Sequence, residues 1–243
     1  FAAEVKGFDP VALFGAREAR KMDRFTQFAN AVVLEALEHA NLKIDESNRD
    51  RVGVVIGSGI GGIGTLLDQA EVLRERGPER VSPFLVPMMI SDSAPGMIAI
   101  KFGARGPNMA LATACASGNN AIGEALEMIR RGAADVMIAG ASEAALVPVA
   151  MAGMNVMTAL STRNDDPQTA SRPFDQERDG FLMGEGAGVL ILESLEHAKA
   201  RGAAILGEVA GYGTTDDAHH ISAPAVNGAG AAIAMKLALQ NAK

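Results

Sequence analysis

One residue of this chain stands out as a potential nucleophile, the single cysteine Cys115. It lies in Thr113-Ala-Cys115-Ala-Ser-Gly118, where an apolar strand is predicted to turn sharply into a helix. A thiol at such an elbow is exposed at the strand end and lies at the positive end of the helix dipole, which favours the thiolate. Backbone N–H groups at the helix start can stabilise an oxyanion formed by attack on a thioester. The pattern indicates a nucleophilic cysteine, with an inert buried cysteine as the alternative, and the local sequence supplies no base.

A glycine-rich turn, Gly57-Ser-Gly59-Ile-Gly-Gly62, offers a second kind of site. It fits G-x-G-x-x-G after a predicted strand and before a predicted helix, the context in which such a turn binds the pyrophosphate of a dinucleotide. That fingerprint also needs an acidic residue about twenty residues later, at the end of a second strand. Glu75 and Glu79 instead lie in or just after the predicted helix, so a tight structural turn is favoured over a dinucleotide site.

The elements that must position these residues alternate between strands and helices. Apolar runs predict strands at 51–57, 108–113, 135–141, 188–192 and 205–212, and helical spacing predicts helices at 23–40, 65–76, 91–102, 116–131, 194–201 and from 228 onward. Asp23 is predicted to cap the first helix. The Met-rich run 148–157 is predicted as a core helix and the polar stretch 158–180 as a long loop. This order predicts an α/β fold with a mostly parallel, layered sheet.

Composition excludes several classes of protein. The formal charge of −7 argues against a nucleic-acid binder, which needs a surplus of Lys and Arg. One cysteine rules out an intrachain disulfide framework and a multi-thiolate metal site, and it suggests a reducing compartment. Residues 144–162 carry no charge, but Pro148 and Gly153 favour a buried helix and loop over a membrane span. No signal peptide is predicted; Phe1 in place of Met and an end within a predicted helix suggest a piece of a longer chain.

Six motifs together resemble the β-ketoacyl-acyl-carrier-protein synthase II family, condensing enzymes of the thiolase-like superfamily. The first two are the cysteine segment, which matches the nucleophile motif of that family, and the glycine turn. The others are Ser82-Pro-Phe, Ala159-Leu-Ser-Thr-Arg163-Asn, Ser171-Arg-Pro-Phe174-Asp and Arg178-Asp-Gly-Phe181-Leu-Met-Gly-Glu-Gly-Ala-Gly188. They follow the order and spacing of the family and cover essentially the whole chain, which makes the nucleotide interpretation of the glycine turn a remote one.

The resemblance implies a thiolase-like α-β-α-β-α fold of two duplicated halves, and a homodimer. Residues 1–202 would form the N-terminal half without its first strand, and residues 203–243 would begin the C-terminal half. It also implies a two-stage reaction without a redox cofactor or a metal. An acyl group passes from acyl carrier protein to Cys115, and a malonyl group on a second carrier then loses carbon dioxide and attacks that thioester.

The resemblance also assigns roles to residues that would be unremarkable alone. Ile60 and Met154 correspond to positions in or near the acyl pocket, although either suits a protein core. Asp217 and His220 match a loop at the entrance of the active site. Basic positions that meet the acidic carrier protein are matched by Arg17, Arg20, Lys21 and Arg80.

The sequence departs from the family in what it lacks. The two catalytic histidines of the family and its gating loop with a Phe lie in a C-terminal segment that these 243 residues do not include. The histidines present, His39, His197, His219 and His220, do not match them. Thr158 occupies a position that is basic in the family, which is expected to weaken one carrier contact. We therefore expect these residues alone not to be a competent synthase.

The function predicted from the sequence is condensation in long- or medium-chain fatty-acid elongation, in a cytoplasmic, bacterial-type enzyme. A polyketide ketosynthase is the nearest alternative. A non-catalytic paralogue that serves as dimer partner or carrier-docking scaffold is another, but a scaffold has no need of Cys115 at the elbow. A dinucleotide-dependent dehydrogenase is a remote third, which cofactor titration would test.

Overall fold

A single four-stranded sheet organises the chain, and the computed structural model describes all residues 1–243. Its strands are β1 (Val52–Gly57), β2 (Asn108–Leu111), β3 (Val136–Glu143) and β4 (Gly186–Glu193). They lie in the order β2-β1-β3-β4. The first three strands run parallel, and β4 pairs with β3 in the antiparallel sense. The predicted α/β fold with a mostly parallel sheet is confirmed, and β4 is its antiparallel member.

The central strand β1 is buried along its whole length, as expected for a parallel strand covered on both faces. Val52, Val54 and Ile56 point into one core and Val55 into the other, because successive side chains of a strand alternate between its faces. Burying a side chain of this kind contributes about 1.5–3 kcal/mol. These two cores fix where the strand ends fall.

Helices cover both faces of the sheet. On one face α3 (Arg24–His39) contributes Phe25, Phe28 and Val33 to the larger core, beside α6 (Ser93–Phe102). On the other face α7 (Ser117–Arg130) contributes small residues and Met128, which let it approach the strands closely. The remaining helices are α1 (Pro10–Phe14), α2 (Ala16–Ala19), α4 (Ile63–Arg76), α5 (Leu85–Met89), α8 (Pro148–Val156), α9 (Leu195–Ala200) and α10 (Ala229–Asn241).

The predicted start of α3 is confirmed in atomic detail. Asp23 Oδ1 accepts a hydrogen bond from Phe25 N–H, as an N-cap does. Its second carboxylate oxygen accepts from the backbone N–H and the hydroxyl of Thr65, at 3.0 and 2.6 Å. One buried carboxylate therefore joins the first turns of α3 and α4.

Two predicted elements differ in the structure. The Met-rich run does form α8, but none of its residues is buried and Val156 is 82% exposed, so its prediction as a core helix is wrong. Residues 205–212 do not form the predicted strand, and no neighbouring strand pairs with them. Side chains hold this segment instead: Arg130 donates to Ala210 O, and Tyr212 N–H donates to Asn241 Oδ1.

None of the helices is long and apolar enough to cross a membrane. The uncharged stretch 144–162 is divided between the connection after β3, α8 and a loop, as its Pro and Gly residues predicted.

Candidate active site at the carboxyl edge of the sheet

The carboxyl ends of β2, β1 and β3 meet at one edge of the sheet. Leu111, Gly57 and Ala141 lie side by side there, with Gly57 in the middle. Loops that leave this edge in parallel α/β sheets commonly form the functional site. Here the cysteine elbow follows β2, the glycine turn follows β1, and Glu143 is the last residue of β3.

The cysteine elbow consists of a 3-10 turn, Ala114–Ala116, that leads directly into α7. Ala114 adopts the left-handed conformation with φ of +49°, which costs a non-glycine residue about 1 kcal/mol or more. The Ser117 hydroxyl offsets part of this cost, because it accepts from Thr113 N–H at 2.9 Å and donates to Ala114 O at 2.7 Å. Cys115 is exposed and forms no disulfide. The thiol is therefore not buried in this structure, and its reactivity stays a prediction.

Glu143 organises the glycine turn. Its Oε2 accepts from Gly59 N–H at 2.7 Å and from Ile60 N–H at 3.2 Å, and its Oε1 accepts from the Ser58 hydroxyl at 3.1 Å. Ser58 Oγ in turn accepts from Gly61 N–H at 2.9 Å. The N–H groups that would cradle a pyrophosphate are already bonded within the protein, which argues against a dinucleotide site here.

The turn packs directly on the elbow, and its glycines make that possible. A Cβ placed on Gly57 would lie 2.5 Å from Ser117 O, at the start of α7. One on Gly59 would lie 2.9 Å from Glu143 Oε2 and 3.5 Å from Ala114 Cα. Side chains at these two positions would push the turn away from the residues on either side of Cys115.

A cavity of about 750 Å³ opens beside the elbow, between α7, residues 209–224 and α10. Ala116, the residue after the cysteine, lies in its wall together with Asn119 and Asn120. Asp217 and His220, the predicted entrance residues, line the opposite side. Cys115, Ile60 and Met154 do not line it, so it adjoins the thiol rather than enclosing it.

Asp217 and His220 both stabilise the loop that carries them. Asp217 Oδ2 accepts from Ala225 N–H at 2.8 Å, and His220 Nδ1 accepts from the N–H groups of Ser222 and Ala223 at 3.2 and 3.0 Å. The remaining ring nitrogen of His220 has no protein partner.

The two residues predicted for the acyl pocket lie on different elements of the fold. Ile60 sits on the glycine turn beside the elbow and is 42% exposed. Met154 lies half-buried on α8, and its carbonyl accepts from Ala159 N–H at 3.1 Å. Neither side chain is fully buried, and their role at the acyl pocket stays a prediction.

The predicted carrier-binding residues lie mostly on and after α2. Arg17 and Arg20 are exposed, and Lys21 pairs with Glu18 at 2.8 Å. Hydrogen bonding from Lys21, with further attraction from Arg17 and Lys101, lowers the pKa of Glu18. Lys101 was missed by the sequence analysis because it lies on α6, far along the chain. Arg80 is exposed in a separate 3-10 turn, Pro78–Arg80.

Lys101 differs from the other cations of this surface in its environment. Its ammonium lies 4.0 Å from the centre of the Phe14 ring, and burial lowers the pKa of Lys101. It makes no ion pair at hydrogen-bonding distance, so it is free to meet an anion from outside.

The predicted loop 158–180 also lies at this edge, since β4 begins opposite Glu143. Asp179 holds the loop together: it accepts from the Ser161 hydroxyl, from the N–H and hydroxyl of Thr162, and it pairs with Arg172. The hydrogen bonds from Ser161 and Thr162 lower the pKa of Asp179 to about 2.

The comparisons with known proteins agree with this geometry. The model for "Beta-ketoacyl synthase, N-terminal domain" matches residues 1–198. A 3-oxoacyl-[acyl-carrier-protein] synthase 2 from Synechocystis is 52% identical over 241 residues, covering 99% of this chain and 58% of that protein. The chain thus spans about three-fifths of the length of the curated relatives it matches.

Solved structures show the same fold. A β-ketoacyl synthase from Burkholderia phymatum superposes with a TM-score of 0.89 at 36% identity, over 99% of this chain and 59% of that one. A ketosynthase in complex with its type II polyketide acyl-carrier protein, bound to a hexaketide, gives a TM-score of 0.85, also at 36% identity, over 90% and 55%. The predicted thiolase-like fold class is confirmed by these ketosynthase neighbours.

Proposed function

The chain belongs to the β-ketoacyl synthase family, and on that premise we propose that it carries the nucleophile and the carrier-docking surface of a β-ketoacyl-acyl-carrier-protein synthase in fatty-acid elongation. The single observation that carries the proposal is the exposed thiol of Cys115, held on a strained elbow between β2 and α7. The identity of 52% with a fatty-acid-type synthase, against 36% with a polyketide ketosynthase, favours fatty-acid elongation over the polyketide alternative.

In the proposed first stage, the Cys115 thiolate attacks the carbonyl carbon of an acyl thioester on acyl carrier protein. The tetrahedral oxyanion collapses, the bond to the carrier thiol breaks, and the carrier leaves as a thiolate that takes up a proton. The acyl group is then a thioester of Cys115. An exposed thiol at the end of a strand suits this step, because a carrier-bound chain must approach it from outside.

In the proposed second stage, malonyl carrier protein loses carbon dioxide, and the resulting carbanion attacks the Cys115 thioester. The new carbon–carbon bond gives a β-ketoacyl chain that is two carbons longer, and Cys115 leaves as the thiolate. Ile60 and Met154 are proposed to line the path of the acyl chain. Asp217 and His220 are proposed to border the entrance, as their position across the cavity from Ala116 supports.

The carrier is proposed to dock on Arg17, Arg20, Lys21 and Arg80, with Lys101 added. Charge reversal of Arg17 and Arg20 to Glu should raise the KM for acyl carrier protein, with kcat little changed, because such charges act on encounter more than on chemistry. The effect should shrink as salt is added. A KM insensitive to both changes would contradict docking at this surface.

Further proposals concern organisation. Residues 1–202 are proposed as an N-terminal half and 203–243 as the start of a C-terminal one, consistent with the family match over 1–198 and with the single sheet ending at β4. A homodimer is also proposed, because α8 and the residue after it expose the apolar side chains of Val149, Val156 and Met157. Analytical ultracentrifugation would test this proposal. A cytoplasmic location is proposed because a reducing compartment keeps the single thiol free.

The deciding experiment compares the natural polypeptide that contains this sequence with its Cys115→Ser variant. Transfer from acyl carrier protein should add one acyl mass at Cys115, located by peptide mapping, and condensation should fall by about 10⁴-fold or more in the variant. The 243-residue stretch alone should decarboxylate malonyl carrier far more slowly than the longer polypeptide. A variant that still condensed at the normal rate would contradict the proposal.

A further inference from the structure

Glu143 carries a charge that the proposed chemistry does not use. It is half-buried at the end of β3, and no Lys, Arg or His lies within ion-pair distance of it. A carboxylate removed from water without a cation is costly unless donors satisfy its oxygens. Here neutral donors do so: two backbone N–H groups and one hydroxyl, all from the glycine turn.

These bonds connect segments that are far apart in sequence. The three donors lie 83 to 85 residues before Glu143 along the chain. Hydrogen bonds to an ionised acceptor are roughly twice as strong as neutral ones, so Glu143 restrains the turn more firmly than an amide or hydroxyl would. The turn is thereby fixed to the edge of the sheet at a defined distance from β3.

The glycine turn, held by Glu143, packs against the nucleophile elbow. Gly59 lies against Ala114, the strained residue directly before Cys115, and Gly57 lies against Ser117, two residues after it. The left-handed conformation of Ala114 persists only if its surroundings hold it. If the glycine turn moved away, Ala114 would lose a contact that helps to hold it in this conformation.

We infer that Glu143 is a positioning residue for Cys115, which acts by holding the Gly57–Gly62 turn against the elbow. The inference rests on the proposed function for its catalytic consequence, but the position of the thiol can be measured without acyl transfer. Because Ile60 belongs to the same turn, Glu143 also fixes the position of one residue that is proposed to line the path of the acyl chain.

The test uses the natural polypeptide with Glu143→Ala, Glu143→Asp and Glu143→Gln. Asp135→Ala is the matched control, because Asp135 directly precedes β3 at the opposite edge and pairs with Arg51. For each protein, the measurements are the unfolding midpoint, the rate constant for alkylation of Cys115 by iodoacetamide, and kcat and KM for acyl carrier protein. Alkylation is located at Cys115 by peptide mapping.

Glu143→Ala should slow alkylation of Cys115 and lower kcat by about 10- to 100-fold with KM little changed, since small displacements of a reacting group cost that much. Glu143→Asp keeps the charge, but its side chain is one methylene too short to reach the turn, so alkylation of Cys115 and kcat should be lowered in this variant as well. It replaces Glu143→Ala in the test if the Ala variant does not fold. Glu143→Gln keeps an acceptor oxygen for the two N–H groups but loses the charge, so its rates should lie between those of Glu143→Ala and the wild type. Asp135→Ala should lower the unfolding midpoint and leave alkylation unchanged.

Wild-type alkylation and kcat in folded Glu143→Ala or Glu143→Asp would overturn the inference, as would a Gln variant as slow as Ala. These outcomes are separate from a failure of the proposed function. If Cys115→Ser still condensed, the proposed function would fall, while the alkylation rates would still report whether Glu143 positions the thiol.

Discussion

The two edges of the sheet use charge in opposite ways. At the amino edge Arg51 forms two hydrogen bonds with Asp135, and Glu193 accepts from Arg201 and contacts His197. At the carboxyl edge Glu143 accepts only from neutral groups, and Cys115 lies exposed beside a strained residue. Asp135 and Glu193 at the amino edge each have a cationic partner, whereas Glu143 at the carboxyl edge has none and the nearby thiol is exposed.

The pKa values follow the same division. Hydrogen bonding from Arg51 lowers the pKa of Asp135. Burial raises the pKa of Glu193, but hydrogen bonds from Arg201 and His197 outweigh it and leave that pKa below its usual value. A cavity of about 440 Å³ at the amino edge is lined in part by Arg51, Asp135 and Arg201, which are engaged in ion pairs. The amino edge is thus built for stability, whereas the carboxyl edge holds the residues that we propose for the chemistry.

Gly57→Ala should give the largest combined effect. The added methyl group would meet the Ser117 backbone at the start of α7, which cannot move without shifting the elbow. We expect a loss of about 1–3 kcal/mol in the free energy of unfolding, together with slower alkylation of Cys115. Denaturant unfolding and iodoacetamide kinetics measure the two.

Gly96→Ala is the matched control, because a Cβ there meets nothing within 4 Å. It lies inside α6 and should stabilise the protein by about 0.5–1 kcal/mol without changing the thiol. If Gly57→Ala were as harmless as this control, the close contact between turn and elbow would not matter.

Much of this architecture could be predicted from local sequence. The elbow was accessible because an apolar strand, a Cys between small residues and a helical pattern follow one another in about twenty residues. The Asp23 cap was accessible for the same reason. Glu143 was not, because a single Glu at a strand end has no pattern, and its partners lie more than eighty residues away.

The errors have a common physical origin. The apolar residues of 205–212 and of α8 led to the predictions of a strand and of a core helix. Neither pattern says whether the same chain supplies a surface that covers these residues. In the structure residues 205–212 have no strand beside them, and Val149 and Val156 of α8 are exposed. Local sequence thus predicted the helical form of α8 but not its exposure, and it predicted a strand at 205–212 that has no partner strand.

Glu193→Gln tests the amino edge of the sheet, where we expect a loss of stability without an effect on Cys115. The Glu193 side chain is only 9% exposed and accepts from both Arg201 Nε and Nη2. Removing its charge leaves Arg201 poorly paired and should cost about 1–3 kcal/mol in unfolding free energy. Alkylation of Cys115 should stay at the wild-type rate. Glu71→Gln, which breaks an exposed pair with Arg74, should cost about 0.5 kcal/mol or less. Equal costs for the two variants would remove the distinction between buried and exposed pairs.

The smallest effect is expected from Asp179→Asn, and it should depend on pH. Because folding lowers the pKa of Asp179 from 3.8 to about 2, its contribution to stability is complete above about pH 5 and is lost as the pH falls through about 2. The wild type should therefore exceed the variant in unfolding midpoint at pH 5, and the difference should shrink towards pH 2. Asp165→Asn is the matched control at pH 5, because Asp165 is an exposed carboxylate of the same loop, and it should leave the unfolding midpoint close to that of the wild type. A difference that stayed constant with pH would mean that Asp179 organises the loop by shape rather than by charge, and the carboxyl edge would then owe its order to Glu143 and the glycines alone.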